Sequence, residues 1–185
     1  MKISVITYSD KGANLAQKLK SLLKGDETGL YSSQRFAVKY GFVPYGGTEE
    51  ETRALFGQSA ALVFICACGI AVRMIAPCIK SKETDPAVIV IDDLGKYVIP
   101  VLSGHIGGAN RLAQRIARII GGQAVVTAAT DGAGLFSCDS WAVEHCCAIS
   151  SLEAAKAVSA RILTENIPVC AENGLPEELP AGLIR

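Results

Sequence analysis

Neither sign of charge predominates in this chain. Its 18 lysines and arginines are matched by 18 aspartates and glutamates. A general nucleic-acid binder carries a basic surplus, so that class is excluded as a property of the whole molecule. Any bound anion must be held by a local cluster. Charged residues are scarce at 19%, against 50% hydrophobic residues, which excludes a disordered chain. No secretory leader is legible, because Met1 to Ser9 holds only a short apolar stretch. Residues 60 to 79 carry a single charge, Arg73, but Gly69 and Pro77 interrupt them and a mid-span arginine is costly in lipid. They read as a buried strand, a glycine turn and a short helix, not as a membrane span. The seven cysteines are odd in number and lack the C-x-x-C spacing of zinc and redox sites. Cys66 and Cys68 form C-A-C, and Cys146 and Cys147 are adjacent. Reduced thiols in a cytoplasmic protein, acting as small buried hydrophobes, are the expectation.

What is present is an alternation of short apolar runs with helical patterns. At 185 residues the chain is about one domain long. Residues 2–7, 61–66, 87–91, 97–102, 123–127 and 167–171 read as strands, with a weak strand near Phe36 to Val38. Leu15, Leu19, Leu22 and Leu23 mark one helix face, and Leu112, Ile116, Ile119 and Ile120 another that Gly121 and Gly122 terminate. Thr48 and Glu51 form a capping box. The Asp92–Gly95 turn joins two strands as a hairpin. Helices are expected near 139–147 and 152–164. The fold class is α/β, a mostly parallel sheet with helices on both faces, Rossmann-like without a dinucleotide fingerprint. Residues 1–130 form an N-terminal α/β domain and 131–185 a middle α/β segment.

Open α/β sheets bind ligands at the carboxyl ends of their strands. Three glycine-bearing loops follow strands: Ser9 to Asn14, Ala67 to Gly69, and Ser103 to Asn110. The third is richest, with Gly104, Gly107 and Gly108. It matches no nucleotide motif. It reads as an anion site at a helix start, or else as tight helix–strand packing. His105 within it is suited to proton transfer near neutral pH. Ser103 is not in a G-x-S-x-G elbow. His145, beside two cysteines, reads as structural. Arg73 is suited to clamp a carboxylate, or else to pair with Asp85. Lys80, Lys82 and Arg111 add positive charge or face solvent. Asp92 and Asp93 make the turn, and Asp131, after a strand, is the acid placed to orient a base.

The run from Gly69 to Asp131 resembles the N-terminal domain of the CbiG family of cobalamin biosynthesis. The carrying text is GIAVRMIAP, then K-x-x-D-P-A-V at Lys82, Asp85 and Pro86, then Asp92 and Gly95, then LSGHIGGANRLA from Leu102 to Ala113, ending at Asp131. Beyond Asp131 the likeness is looser, and family members continue into a further C-terminal domain that is missing here. The resemblance implies a hydrolase that opens the ring-A lactone of cobalt-precorrin-5A and releases acetaldehyde. It implies an anionic cobalt-corrinoid substrate, and no cofactor or protein metal, since the substrate carries the cobalt. No nucleic acid and no membrane partner is expected; a C-terminal domain or other pathway enzymes are. On this reading His105 and Asp131 are catalytic, His105 as base or as axial cobalt ligand. Gly69, Arg73, Ser103, Gly104, Gly107, Gly108 and Asn110 bind substrate, with the Gly107 and Gly108 N–H groups serving the oxyanion. A corrinoid-binding module without chemistry is the rival reading. A generic nucleotide-binding domain is a weaker third.

Overall fold

Strict alternation along the central strands decides the architecture. A computed structural model describes residues 1–129, 133–145, 147–172 and 174–185. It divides into two compact units, Met1–Val125 and Val126–Arg185. The first unit runs β1 (Lys2–Thr7), α1 (Asp10–Leu22), β2 (Glu27–Ser32), α2 (Gln34–Tyr40), β3 (Val43–Pro44), α3 (Glu49–Gln58), β4 (Ala61–Ile65), α4 (Cys68–Ile75), a 3₁₀ turn (Ala76–Cys78), β5 (Ala87–Ile91), β6 (Tyr97–Leu102), α5 (Ala109–Ile120) and β7 (Gln123–Ala124). The seven strands lie in the order β3-β2-β1-β4-β5-β6-β7. Every neighbouring pair is parallel except β5 and β6, so β6 and β7 run against the other five. The α/β class and the mostly parallel sheet are as the apolar runs predict.

Residues of one strand point alternately to opposite faces. Ala61, Val63 and Ile65 pack with Ala13, Ala16 and Leu19 of α1 and Ala113 and Ile116 of α5. Leu62, Phe64 and Cys66 pack with Phe56 of α3 and Ala71 and Ile75 of α4. A sheet sandwiched this way needs strands apolar throughout, and β4 and β5 are completely buried. Helix ends follow local chemistry. Ser9 Oγ accepts the Gly12 N–H at 3.0 Å to start α1. Thr48 Oγ1 accepts the Glu51 N–H, and Glu51 Oε2 accepts the Thr48 N–H, to start α3. Gly121 ends α5 at φ 77°, a backbone region that suits glycine.

The weak strand predicted near Phe36 to Val38 is wrong. Those residues lie in α2, which buries only Ala37, and the strand falls earlier, at β2. Leu22, assigned to the apolar face of α1, is exposed; alanines and Leu19 fill that interface. The strand expected over 123–127 pairs only through Gln123 and Ala124. Of the paired cysteines, Cys66 is buried but Cys68 and Cys147 are exposed, so the buried role fails for those two. The segment 60–79 is a strand and a short helix as expected, but Gly69 lies within α4 and not in a turn before it, and an unforeseen 3₁₀ turn follows. Among the described residues no helix is long and apolar enough to cross a membrane.

The second unit holds α6 (Cys138–Glu144), α7 (Leu152–Arg161), and β8 (Ile167–Pro168) paired in parallel with β9 (Leu183–Ile184). The helices sit near the predicted positions. The strand expected over 167–171 is reduced to β8, and β9 was not foreseen.

One ionic contact ties three parts of the first unit. The side chain of Asp26, 8% exposed, pairs with the Met1 amine at 2.8 Å and with Arg115 of α5 at 2.7 Å. Burial opposes its ionisation, but these two cations outweigh burial and hold its carboxyl below the ordinary carboxylate value. A carboxyl lowered in the folded state stabilises fully above its unfolded value and loses that effect as pH falls through the folded one. Asp26→Asn should therefore cost about 1–2 kcal/mol at neutral pH, after allowing for solvent screening of the half-exposed Arg115. Denaturant titrations across pH should show that difference shrinking to nothing below the carboxylate range.

Candidate functional site at the amino-terminal rim of the sheet

The reversal of β6 decides where the richest glycine loop lies. In the register, Ile3, Ala61 and Ala87 stand side by side at the starts of β1, β4 and β5. Leu102, at the end of β6, pairs with Val88 near that same rim. The Ser103–Asn110 loop thus emerges at the amino-terminal rim of the parallel strands. The loops after β1 and β4, carrying Ser9 to Asn14 and Ala67 to Gly69, lie at the opposite, carboxyl-terminal rim. Five strand residues separate the rims by roughly 16 Å. The structure therefore does not bring Gly69 and Arg73 together with Ser103, Gly104, His105, Gly107, Gly108 and Asn110.

The loop is built by internal bonds. The Gly108 N–H donates to the His105 carbonyl at 3.0 Å, the Ala109 N–H to the Ser103 carbonyl at 3.1 Å, and the Asn110 N–H to the Gly104 carbonyl at 2.9 Å. Gly108, expected to offer its N–H to an oxyanion, thus spends it inside the loop. The glycines have packing reasons. A Cβ on Gly107 would overlap Ser103 Cβ and stand 2.9 Å from the Ser103 carbonyl oxygen, and one on Gly104 would stand 2.8 Å from Asn110 Oδ1. Gly108 sits at φ 78°. Ser103 itself adopts φ 56°, and it is the only non-glycine residue with positive φ among the described residues. Its hydroxyl donates to the Asp85 carbonyl at 2.9 Å. Tight packing therefore accounts for Gly104 and Gly107. His105 is half-buried within this frame.

Two clefts open on this rim. One of about 200 Å³ is lined by Met1, Gly107, Gly108, Arg111, Leu112 and Arg115. The other, of about 220 Å³, includes Arg53, Phe56, Ser59, Lys80, Thr84 and Asp85. Arg53 pairs with Glu49 at 2.5 Å, and Arg115 with Asp26. Lys80 and Arg111, expected to add positive charge or to face solvent, are wall residues of clefts on the loop's own rim. Arg53, Arg115 and the Met1 amine were missed altogether. The signal that finds them is the hairpin, since it turns β6 toward the starts of the other strands.

At the carboxyl-terminal rim, α4 leaves Arg73 exposed, where its Nη1 donates to the Gly69 carbonyl at 3.3 Å. Asp85, its alternative partner, instead accepts the N–H groups of Lys80 and Ser81. Burial pushes the Cys66 thiol up to about 11, which keeps it protonated and a poor nucleophile. Tyr8 donates to the Met74 sulfur at 3.2 Å, and burial raises its phenol further above the ordinary tyrosine value. In the second unit the His145 ring stacks on Trp141 at 4.1 Å and its Nδ1 lies 2.9 Å from the Trp141 carbonyl, which fits a structural role. Asp131 lies outside the described residues.

Gly107→Ala should destabilise the chain by about 1–3 kcal/mol, since the added methyl meets backbone that cannot yield. Thermal unfolding should report it as a loss of about 2–4 °C per kcal/mol. A variant as stable as the native chain would contradict the packing described.

Residues 50–131 match the family described as Cobalamin synthesis G N-terminal. That span runs from α3 to beyond β7 and includes both clefts' key side chains. A relative from Salmonella typhimurium named cobalt-precorrin-5A hydrolase is 38% identical over 154 residues, covering 83% of this chain and 43% of the relative. One of the same name from Priestia megaterium is 43% identical over 122 residues, covering 65% and 33%. The chain therefore spans less than half the length of these relatives. A solved structure of a cobalamin biosynthesis protein G homologue from Sulfolobus solfataricus superposes with a TM-score of 0.54 at 26% identity, over 99% of this chain and 52% of that one. The resemblance read from Gly69 to Asp131 is thereby extended back to residue 50, and over residues 50–131 the chain matches the cobalamin synthesis G N-terminal family.

Proposed function

We propose that this chain acts in the hydrolysis of cobalt-precorrin-5A, opening its ring-A lactone with release of acetaldehyde. The observation that carries the reading is the match over residues 50–131, because that span encloses the Ser103–Asn110 loop and most of the lining of the two clefts beside it. The named activity of the relatives supports it. The substrate is an anionic macrocycle with carboxylate arms, and Lys80 and Arg111 at the loop's rim are suited to such arms. The cobalt arrives with the substrate, and the protein needs no cofactor of its own.

Lactone opening requires a water activated as nucleophile and a stabilised oxyanion; release of acetaldehyde then requires cleavage of its carbon–carbon bonds to the macrocycle, with a proton taken from the freed hydroxyl and a proton returned to the ring carbon. His105 takes the proton from that water and delivers it later. The Gly107 N–H is the donor left for the oxyanion once Gly108 is bonded within the loop. Ser103, Gly104 and Asn110 hold the loop's shape. Gly69 and Arg73 enter only as a separate contact at the other rim, where the guanidinium fork receives a carboxylate. The alternative is a module that holds the corrinoid while other protein performs the chemistry, and the chain's coverage of 43% of a relative favours keeping it in view.

Acetaldehyde release from cobalt-precorrin-5A, followed through NADH consumption by alcohol dehydrogenase, separates the two. Turnover by the chain supports the hydrolase, and binding without acetaldehyde supports the module. His105→Ala should lower turnover by ~10²–10⁴-fold with little change in melting temperature. Lost binding with normal turnover of bound substrate would assign His105 to the cobalt instead. Arg73→Lys should weaken corrinoid binding about tenfold, as a lysine lacks the second parallel bond. Unchanged affinity would remove Arg73 from the site.

A further inference from the structure

The motif containing Lys82, Asp85 and Pro86 has no part in the chemistry above, yet it touches the glycine loop. Asp85 is 6% exposed. Its Oδ2 accepts the Lys80 N–H at 2.9 Å and the Ser81 N–H at 3.0 Å. Its own N–H and that of Thr84 return to the Ser81 carbonyl, so residues 80–85 close into a turn around this one carboxylate. Pro86 disfavours helical backbone at Asp85 and delivers the chain extended into β5. The Asp85 carbonyl then accepts the Ser103 hydroxyl at 2.9 Å.

Two features show that this is more than a turn. A non-glycine residue at positive φ persists only where its surroundings over-determine it, and such residues cluster at ligand sites. Ser103 is that residue, and its side-chain anchor is Asp85. The carboxylate's Oδ2 is also held by backbone N–H groups, and among the described residues no salt bridge joins it to the Lys80 ammonium. Lys80 lines the 220 Å³ cleft with Thr84, Asp85 and Arg53, the last paired with Glu49, against Phe56 and Pro86. One buried acid thus fixes the height of a lysine-bearing turn relative to the loop that carries His105.

We propose that the cleft between α3 and the residue 80–86 turn takes a carboxylate arm of the substrate on Lys80, and that Asp85 is the positioning residue that fastens this turn to the Ser103–Asn110 loop. The proposal rests on the reading in the preceding subsection and adds to it the seat of one arm. Removing the Asp85 side chain releases the Lys80 and Ser81 N–H groups and loosens the turn that carries Lys80, while the Asp85 carbonyl stays available to the Ser103 hydroxyl. Asparagine keeps an oxygen where Oδ2 stands and should hold both N–H groups.

The test titrates cobyrinic acid, a cobalt corrinoid with free carboxylate arms, into the chain by visible absorption, well below the melting temperature of each variant. Asp85→Ala should raise the dissociation constant about tenfold, the loss of one charged contact. Asp85→Asn should recover to within about threefold of the native value, and Lys80→Gln should reproduce the alanine defect. A residue that only closed a turn would lower the melting temperature and leave affinity untouched, and that outcome overturns the proposal. An asparagine variant no better than alanine also overturns it. If the alanine variant does not fold, Ser103→Ala and Lys80→Gln carry the test, with native affinity in both overturning it. Failure of the native chain to bind cobyrinic acid overturns the preceding reading together with this one, whereas native binding indifferent to these substitutions overturns this one alone.

Discussion

Asp92 closes the hairpin on which the placement of the site depends. Its Oδ1 accepts the Tyr97 N–H at 2.6 Å, its Oδ2 the Leu94 N–H at 3.2 Å, and its carbonyl the Gly95 N–H at 2.8 Å. Gly95 takes φ 69°, and a side chain there would press on Leu15. With the turn this short, β6 has to return antiparallel along β5. A parallel return would need a crossover of a dozen or more residues. Five strands up and two down is therefore a consequence of four turn residues. The His105 loop reaches the rim where β1, β4 and β5 begin because of it.

That reversal separates two sets of features that look alike in the sequence. The loops after β1 and β4 occupy the position where doubly wound sheets usually bind ligands. The loop after β6 has the same glycine-rich texture but faces the other way. Around it gather Lys80, Arg111, Arg115 and the Met1 amine, contributed by segments far apart in the chain. These cations meet at the rim only after folding, and Arg115 and the Met1 amine are there paired with Asp26, which leaves Lys80 and Arg111 as the cleft cations without a salt bridge among the described residues.

Much of the first unit was legible because its signals are local. Runs 61–65, 87–91 and 97–102 are apolar and bounded by turns, and the Thr48–Glu51 box and Gly121 mark helix ends by backbone chemistry alone. The misses have physical causes. β2 carries Glu27, Thr28 and Gly29, and only its pairing with β1 makes it a strand. In α2, Phe36 and Val38 suggested a strand, but the helix packs through Ala37 and leaves Val38 exposed. Arg73 stands among apolar neighbours in sequence, yet α4 buries only Ala71 and Ile75 and turns Ile70, Val72 and Arg73 outward. For the candidate site, the loop residues and their helix start were readable. The roles of Arg53 and Asp85 and the division between rims were not, because a cleft lining, a carboxylate's backbone partners and the rim reached by β6 appear only once the strands are set side by side.

The two outermost strands of the large sheet, β3 and β7, are two residues long, and Pro44 occupies half of one of them. A neighbouring molecule approaching either margin finds too few unpaired backbone groups to extend the ladder, and at β3 a proline with no N–H to give. The interior strands β4 and β5, which are the most apolar and would be the most adhesive if bared, sit three or more places from one margin and two or more from the other. The strand lengths thereby act as a built-in guard against sheet-to-sheet aggregation, and the most hydrophobic segments of the chain can be carried without making the folded protein sticky.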